Sequence, residues 1–231
     1  TPRTKAIVLV TPNNPTGAEY PAGLLRAFYD LARSRRLTLI VDETYRDFDS
    51  RTAPPHELLQ ETDWEQTLIH LYSFSKAYRL TGHRVGAIAA SPDHLFEMEK
   101  FLETVTICPS QLGQIGAHWG IQNLQNWLGG ERNEILARKQ AIIDGFPLLA
   151  ARGWRLLGCG AYFAYVEHPY EYSAEEIAKR LVTEASVLML PGTMFMPAGN
   201  TSAERQFRIA FANVDASGIA ELFARLSKFT A

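Results

Sequence analysis

Residues 37–45 of the chain read LTLIVDETY, in which the mostly apolar run at 37–41 is followed by the carboxylate of Asp42. A short apolar run without alternation is typical of a strand that is buried on both faces of a parallel sheet. Similar runs occur at residues 6–10, 67–72 and 85–90, and residues 21–35 between the first two are predicted to form a helix. This order of strands and helix predicts an α/β domain with a mainly parallel sheet.

Polar side chains follow three of these predicted strands. Asn14 lies shortly after the first strand, Asp42 closes the second, and Ser73 comes directly after the third. The carboxyl ends of parallel strands meet at one edge of a sheet, where functional groups of α/β proteins gather. We therefore expect the candidate site at this edge.

The second part of the chain has a different pattern. A helix is predicted from Pro92 onward and further helices at about 111–128 and 131–150, and Gly129 and Gly130 form the clearest break in composition. We place a domain boundary there, which gives a large domain over residues 1–130 and a small α+β domain over residues 131–231. The small domain is predicted to contain a helix with a Ser173–Glu176 capping box, a C-terminal helix at 216–229, and strands at 161–166, 187–190 and 206–211.

The composition excludes several classes of protein. The chain has 231 residues, of which 46% are hydrophobic and 21% charged, as in ordinary globular domains. The formal net charge of −2 gives no basic surface for nucleic acid. No apolar run reaches the ~18 residues of a membrane span, and two cysteines fit a reducing compartment. These features favour a cytoplasmic protein without a nucleic-acid or membrane partner.

Lys76 is the first candidate for chemistry, although most lysines are simply exposed. It lies in Ser-Phe-Ser-Lys straight after a predicted strand, with hydroxyls at Ser73 and Ser75, and Arg84 follows eight residues later. Hydroxyls and an arginine can bind a phosphate, because the guanidinium contacts phosphate oxygens through a planar fork. A lysine beside a phosphate-bearing aldehyde is what a Schiff-base enzyme needs.

Asp42 and Tyr45 form the second candidate pair. Asp42 is either a helix cap or a carboxylate that keeps a pyridine nitrogen protonated. Tyr45 is either a half-buried aromatic residue or a donor to a ring oxygen. Residues 14–17 are turn sequence in either case, and the Asn14 side chain can point at a ligand.

Together, four motifs resemble the class I/II aminotransferases, which are fold-type I pyridoxal-phosphate enzymes. They are Asn-Pro-Thr-Gly at 14–17, Asp-x-x-Tyr at 42–45, Ser-x-Ser-Lys at 73–76 and the arginine at Arg84. A fifth motif, with Pro-Gly, Phe, Gly and Arg-Ile-Ala-Phe between residues 191 and 211, extends the resemblance over nearly the whole chain. The resemblance implies transfer of an amino group between an L-amino acid and a 2-oxo acid by a homodimer.

The resemblance also implies roles for single residues. Lys76 resembles the Schiff-base lysine, Asp42 the partner of the pyridine nitrogen, and Asn14 and Tyr45 the donors to the ring hydroxyl. The Asn14–Pro15 peptide is expected to be cis. The phosphate cup would include Ser73, Ser75 and Arg84. The substrate carboxylate would be bound by Arg208, with Asn14 beside it.

Two alternatives share these motifs. A carbon–sulfur β-lyase or a cyclopropane-carboxylate synthase of the same fold would carry the same lysine, aspartate, tyrosine and arginine. An aminotransferase-like domain of a transcription regulator would be a binding module that catalyses no reaction.

Family members are usually much longer, and the sequence begins without Met close to a strand. We therefore expect the sequence to start inside a longer protein, with a phosphate-binding turn, a ring-stacking aromatic and much of the dimer interface before Thr1. On that expectation, the sheet that contains Val8, Leu9, Ile40, Val41 and Ile69 is partly uncovered, and residues 1–231 alone bind the cofactor weakly.

Overall fold

The computed structural model describes all 231 residues. Its first elements are β1 (Ala6–Val10), α1 (Ala22–Arg35), β2 (Thr38–Asp42), β3 (Leu68–Ser73), α2 (Phe74–Ala77), β4 (Gly86–Ala89), α3 (Pro92–Val105) and α4 (Gln111–Asn123). They are followed by α5 (Gln125–Gly145), α6 (Pro147–Ala150), β5 (Arg155–Gly160), β6 (Phe163–Glu167), α7 (Ala174–Ala185), β7 (Leu190–Pro191), β8 (Gln206–Ala210) and α8 (Ala216–Lys228).

The chain forms two compact units. The first unit comprises Thr1–Pro12 and Glu19–Arg132, and the second comprises Asn13–Ala18 and Asn133–Ala231. The second unit is therefore discontinuous in sequence, because six residues near the start of the chain pack with its last 99 residues. The assignment of residues 1–130 and 131–231 as two functional domains stays a prediction.

The sheet of the first unit has the strand order β1-β2-β3-β4. β1 pairs with β2 and β2 with β3 in parallel, whereas β4 pairs with β3 in the antiparallel direction. This confirms the predicted mainly parallel sheet. Because β4 runs in the opposite direction, its amino end lies at the same edge as the carboxyl ends of β2 and β3.

Helix α1 covers one face of this sheet. Its buried residues Leu25, Tyr29 and Ala32 recur at helical spacing and pack with Leu39 and Val41 of β2. The helix ends at Arg36, which has the left-handed backbone conformation and whose N–H bonds the carbonyls of the last turn. The pleat of β2 thus sends every second side chain into this core.

The opposite face of the sheet is more open. Val8 is 61% exposed and Ile88 is 39% exposed on this face, although Ile69, which shares it, is buried. Val41 points to the face covered by α1 and is buried there. The interpretation of residues 6–10 as buried on both faces is therefore wrong for Val8, which lies on the face away from α1. The expectation that part of the sheet is uncovered is confirmed at Val8.

Apolar side chains also remain exposed along α3 and α4. Helix α3 has no buried residue. A groove of about 800 Å³ is lined by residues of β3, β4 and α3, among them Leu71, Leu95 and Leu102. The amphipathic pattern of α3 therefore has no partner in the first unit that covers its apolar side.

Helix α5 corrects the predicted break at Gly129 and Gly130. It runs without interruption through both glycines, where a Cβ would meet no atom within 4 Å. In the first unit, Arg79 bonds Glu131, and Arg132 bonds the carbonyl oxygen of Asp49. These contacts anchor the helix beside the glycines. Each glycine lowers the stability of the helix by only about 1 kcal/mol relative to Ala.

The second unit contains an antiparallel sheet with the order β5-β6-β8-β7. Its core includes Trp154, Phe207 and Phe223, all nearly inaccessible to solvent. The Ser173–Glu176 capping box before α7 is confirmed, because each side chain bonds the backbone N–H of the other residue.

Two predictions for this sheet need correction. Strand β5 was not predicted; it contains two glycines and has an irregular pairing with β6 between Leu156 and Gly158. The strand predicted at 187–190 is a two-residue strand at Leu190–Pro191, since Leu188 is 79% exposed and Pro191 has no N–H for a ladder.

In the computed fold, no helix combines the length and apolar character that a membrane crossing requires.

Candidate active site

The first unit brings six of the predicted site residues to one edge of its sheet. Asp42 is the last residue of β2 and pairs in register with Leu71 of β3. Ser73 ends β3 and pairs with Gly86 at the start of β4. Tyr45, Ser75, Lys76 and Arg84 lie in the short connections next to these strand ends. The observed topology therefore produces the cluster that the motif order predicts.

Asp42 is half-buried and its carboxylate is oriented by local bonds. Its Oδ1 accepts hydrogen bonds from the Thr44 backbone N–H at 2.9 Å and from the Thr44 hydroxyl at 2.7 Å. Asp42 does not cap a helix, because the 3₁₀ turn Arg46–Phe48 begins after Tyr45. Both bonds use Oδ1, which leaves Oδ2 available to a ligand.

Tyr45 follows in the same turn and is only 6% exposed. The neighbouring Tyr72 of β3 donates a 2.6 Å hydrogen bond to Oδ2 of Asp47. Burial and the adjacent Asp47 carboxylate both raise the pKa of Tyr72, so its phenol stays protonated. This bond ties the turn after β2 to β3.

Lys76 lies in α2, the short helical turn that starts directly after β3. Ser73 caps this turn, because its hydroxyl accepts from the Ser75 N–H at 3.2 Å. The Thr81 hydroxyl donates to the Ser75 carbonyl oxygen at 2.9 Å. Ser75 is buried and Lys76 is half-buried, so Lys76 is not an ordinary exposed loop lysine.

Arg84 is exposed and has the left-handed backbone conformation with φ of 50°. Its guanidinium donates to the Thr81 carbonyl oxygen at 2.9 Å. Two residues later, a side chain at Gly86 would meet the Tyr72 carbonyl oxygen at 2.8 Å. Glycine at this position therefore permits the close approach of β4 to β3 that brings Arg84 next to the sheet edge.

The second unit holds the other two predicted residues, Asn14 and Arg208. The Arg208 guanidinium, on the central strand β8, donates a 2.7 Å hydrogen bond to Oδ1 of Asn14. The Asn14–Pro15 peptide is cis, as the resemblance implies. Gly17 has φ of 70° and no room for a Cβ against the backbone of Phe163, so it lets the Asn14 turn pack closely on β6.

Two aromatic rings flank the Arg208 guanidinium. Its central carbon lies 4.7 Å from the ring centre of Phe163 and 4.6 Å from that of Phe195. Such stacking holds a planar guanidinium and suits it to bidentate recognition of a carboxylate. Phe195 belongs to the fifth motif, but its contact with Arg208 was not predicted.

A buried ionic cluster behind Asp42 was missed completely. Glu43 is fully buried, and its Oε2 lies 2.7 Å from His70 Nε2 and 3.1 Å from the Arg46 guanidinium. Its Oε1 lies 3.5 Å from His56 Nε2. A second carboxylate directly after Asp42, at the end of an apolar strand, was the signal that could have revealed this cluster.

The cluster determines the charge of Glu43. Burial alone would raise the pKa of this carboxyl, but the close contact with His56, the hydrogen bond with His70 and the charge of Arg46 outweigh burial. The pKa is therefore lowered to about 2. A carboxylate only accepts hydrogen bonds, so His70 Nε2 carries the hydrogen in its bond to Glu43.

Comparisons with known proteins agree with these motifs. Residues 1–226 match the model of the family described as aminotransferase class I and II. The chain is 25% identical over 235 residues to an aspartate aminotransferase of Sulfolobus acidocaldarius, covering 99% of this chain and 57% of the relative. It is 27% identical to aromatic-amino-acid aminotransferase 2 of Thermococcus litoralis, covering 92% of this chain and 54% of the relative.

Solved structures share the fold. The aromatic aminotransferase of Pyrococcus horikoshii superposes with a TM-score of 0.86 at 24% sequence identity, covering 99% of this chain and 60% of that structure. The chain thus spans a little more than half the length of the relatives it matches. Since the family model matches nearly every residue, this chain belongs to the class I and II aminotransferases and has their fold-type I architecture.

Proposed function

We propose that the protein is a pyridoxal-phosphate-dependent aminotransferase that moves an amino group between an L-amino acid and a 2-oxo acid. The observation that carries this proposal is the joint presence of Asp42 and Lys76 at the ends of two neighbouring parallel strands. Membership of the aminotransferase family supports the reaction class.

The donor groups at the sheet edge fit this cofactor. Pyridoxal phosphate carries an aldehyde, a pyridine nitrogen, a ring hydroxyl and a phosphate. The first unit offers the Lys76 amine, the Asp42 carboxylate and the Tyr45 phenol at the same edge, together with the hydroxyls of Ser73 and the guanidinium of Arg84. When bound, the cofactor acts as an electron sink for the substrate Cα.

Within this proposal, Lys76 holds the cofactor aldehyde and, once released, moves a proton at the substrate Cα. Asp42 keeps the pyridine nitrogen protonated, because an adjacent carboxylate stabilises the cationic ring. Tyr45 donates to the ring hydroxyl. Ser73, Ser75 and Arg84 bind the phosphate; Ser75 is the least accessible of these because its residue is buried.

Arg208 and Asn14 form the proposed substrate site. The guanidinium is held by the Asn14 bond and by two aromatic rings, which leaves its planar fork aligned for a carboxylate. Every amino acid and 2-oxo acid carries such a carboxylate, so this contact serves both substrates. The names of the Sulfolobus and Thermococcus relatives favour an acidic or aromatic amino acid as donor.

We also propose that the protein acts as a homodimer in the cytoplasm. The exposed apolar residues of α3 and α4, such as Phe101 and Leu112, are compatible with a covered surface in an assembly. Size-exclusion chromatography with light scattering measures the assembly directly, and a monomer at micromolar concentration would contradict it.

A substrate panel tests the proposed reaction. The protein is incubated with pyridoxal phosphate, an acidic or aromatic amino acid and 2-oxoglutarate, and the new amino acid and oxo acid are quantified. Equal amounts of both products support amino transfer. Pyruvate and ammonia from cysteine conjugates would instead identify a β-lyase, and binding of amino acid without any product would favour a regulatory domain.

A further inference from the structure

The buried cluster around Glu43 lies directly behind the proposed catalytic carboxylate. Asp42 and Glu43 are consecutive residues at the end of β2, so the pleat directs their side chains to opposite faces of the sheet. Glu43 points to the face covered by α1, as does Val41, which pairs in register with His70. Asp42 points to the open face.

Glu43 joins three parts of the first unit. Its backbone N–H donates to the Leu71 carbonyl oxygen at 2.9 Å, and its side chain accepts from His70 of the same strand, β3. Its side chain also contacts Arg46, in the turn that contains Tyr45, and His56, in the following loop. Movement of Asp42 or of this turn would therefore require breaking buried ionic contacts.

These contacts act on both halves of the proposed cofactor site. β2 ends in Asp42, and β3 leads into Ser73 and Lys76. The Glu43–His70 bond is a side-chain link between the two strand ends, one residue after Asp42, three residues before Ser73 and six residues before Lys76. A shift of one strand end against the other would change the spacing between the carboxylate and the lysine.

We propose that Glu43 is a positioning residue that fixes Asp42 and the Tyr45 turn relative to Lys76 through its bonds to His70 and Arg46. The expected effect of Glu43 on catalysis rests on the proposed function. Its expected effect on the rigidity of residues 42–46 applies also to the protein without cofactor. Glu43 does not touch the cofactor in this proposal. It acts through the residues on either side of it.

The test variant is Glu43→Gln, which keeps the size of the side chain and removes its charge. The matched control is Asp49→Asn, because Asp49 is also a buried carboxylate of this segment but pairs with Arg51 rather than with β3. Amide hydrogen exchange at residues 42–46 is measured without cofactor. The dissociation constant of pyridoxal phosphate, kcat, KM and the visible absorption band of the bound cofactor are measured with it.

Glu43→Gln should speed exchange at residues 42–46 by about tenfold, since local opening is no longer opposed by buried ion pairs. Cofactor affinity and kcat should fall, kcat by up to about 100-fold, because small displacements of reacting groups are costly. The amino-acid KM should change little. Asp49→Asn should lower stability without altering kcat or the absorption band.

A Glu43→Gln variant with wild-type exchange, cofactor affinity and kcat would overturn the proposal, as would one that matches Asp49→Asn in every readout. If Glu43→Gln does not fold, the same measurements on His70→Gln decide the question. Failure of the full-length wild-type protein to bind pyridoxal phosphate would refute the proposed function instead. The exchange result in the cofactor-free protein would still stand on its own.

Discussion

The sheet edge of the first unit and the arginine site of the second unit hold their polar groups in different ways. Asp42 is backed by a buried ionic cluster in which Glu43 contacts two histidines and an arginine. Arg208 is instead held between aromatic rings, with one hydrogen bond to Asn14. Charged contacts therefore fix the position of Asp42 in the first region, and ring packing fixes the guanidinium of Arg208 in the second.

This difference suggests a division of labour between the two regions. Changes at the sheet edge should act on the rate of the chemical step, because they alter the groups that react or that stabilise charge. Changes around Arg208 should act on substrate affinity. Kinetics that separate kcat from KM can break this comparison.

Replacement of Lys76 is expected to have the largest effect. Lys76→Ala should lower the amino-transfer rate by several orders of magnitude, since covalent attachment and proton transfer are both lost. Lys100→Ala, in an exposed ion pair of α3, is the control. Borohydride reduction followed by peptide mapping should place the cofactor on Lys76, and a label on another lysine would contradict the assignment.

Asp42→Ala should leave a folded protein that binds pyridoxal phosphate but loses about 100-fold or more in kcat, because a charged group that stabilises the transition state is gone. If Asp42 only held the turn through its bonds to Thr44, its loss would cost about 0.5–2 kcal/mol of stability, as for side chains that bond a backbone N–H at a helix start, and little activity. Activity within about tenfold of wild type would favour that local role.

The pH dependence of the free energy of unfolding should separate a histidine of the second unit from the Glu43 cluster of the first. Burial and the charge of Arg205 lower the pKa of His168, in the second unit, to about 4. Because the unfolded histidine has a pKa of ~6.5, the unfolded state binds the proton more readily, and stability falls as pH drops from 6.5 towards 4. The loss between pH 7 and pH 5 should be about 2 kcal/mol.

Glu43 responds in a different range. Its pKa of about 2 lies below that of an unfolded glutamate, so its stabilising contribution is present above pH 4.5 and disappears as pH falls towards 2. Between pH 7 and pH 5 the contribution of Glu43 stays constant, so a fall in the free energy of unfolding measured by urea titration should come from His168. His168→Phe should reduce this fall, and the exposed-residue variant His118→Gln should not. An unchanged loss in His168→Phe would contradict the prediction.

Arg208→Lys should have a smaller effect, confined mainly to KM. Lysine keeps the charge but lacks the planar fork and stacks less well, so KM for amino acid and oxo acid should each rise by about tenfold. Arg155→Lys, on an exposed part of β5, is the matched control. If the factor by which kcat falls exceeded the factor by which KM rises, Arg208 would act mainly on the chemical step. The proposed difference between the two regions would then be wrong.

Much of the first unit was predictable because its sequence repeats a simple signal. The runs that became β1, β2 and β3 are largely apolar. Asp42 and Ser73 end β2 and β3, and Asn14 follows shortly after β1, so strand identity and site location follow from one pattern. Prediction failed where tertiary contacts decide the outcome. Gly129 and Gly130 read as a break, yet contacts made by the neighbouring Glu131 and Arg132 maintain the helix.

The candidate site shows the same limit. Lys76 and Arg208 were predictable from motifs, whereas the Glu43 cluster depends on contacts between residues 43, 56 and 70, whose spacing follows no short pattern. The contacts of Phe163 and Phe195 with Arg208 were also not predictable, because one ring comes from a strand and the other from a distant turn. Long-range side-chain contacts of this kind require the folded structure.

The discontinuity of the second unit has a consequence for dissecting the protein. The segment Asn13–Ala18 belongs to that unit, although more than one hundred residues separate it from Asn133. A gene fragment encoding residues 133–231 would lack both the turn that Gly17 seats on β6 and the Asn14 partner of Arg208. Domain transplantation would therefore need a circularly permuted design that fuses these six residues to the later segment.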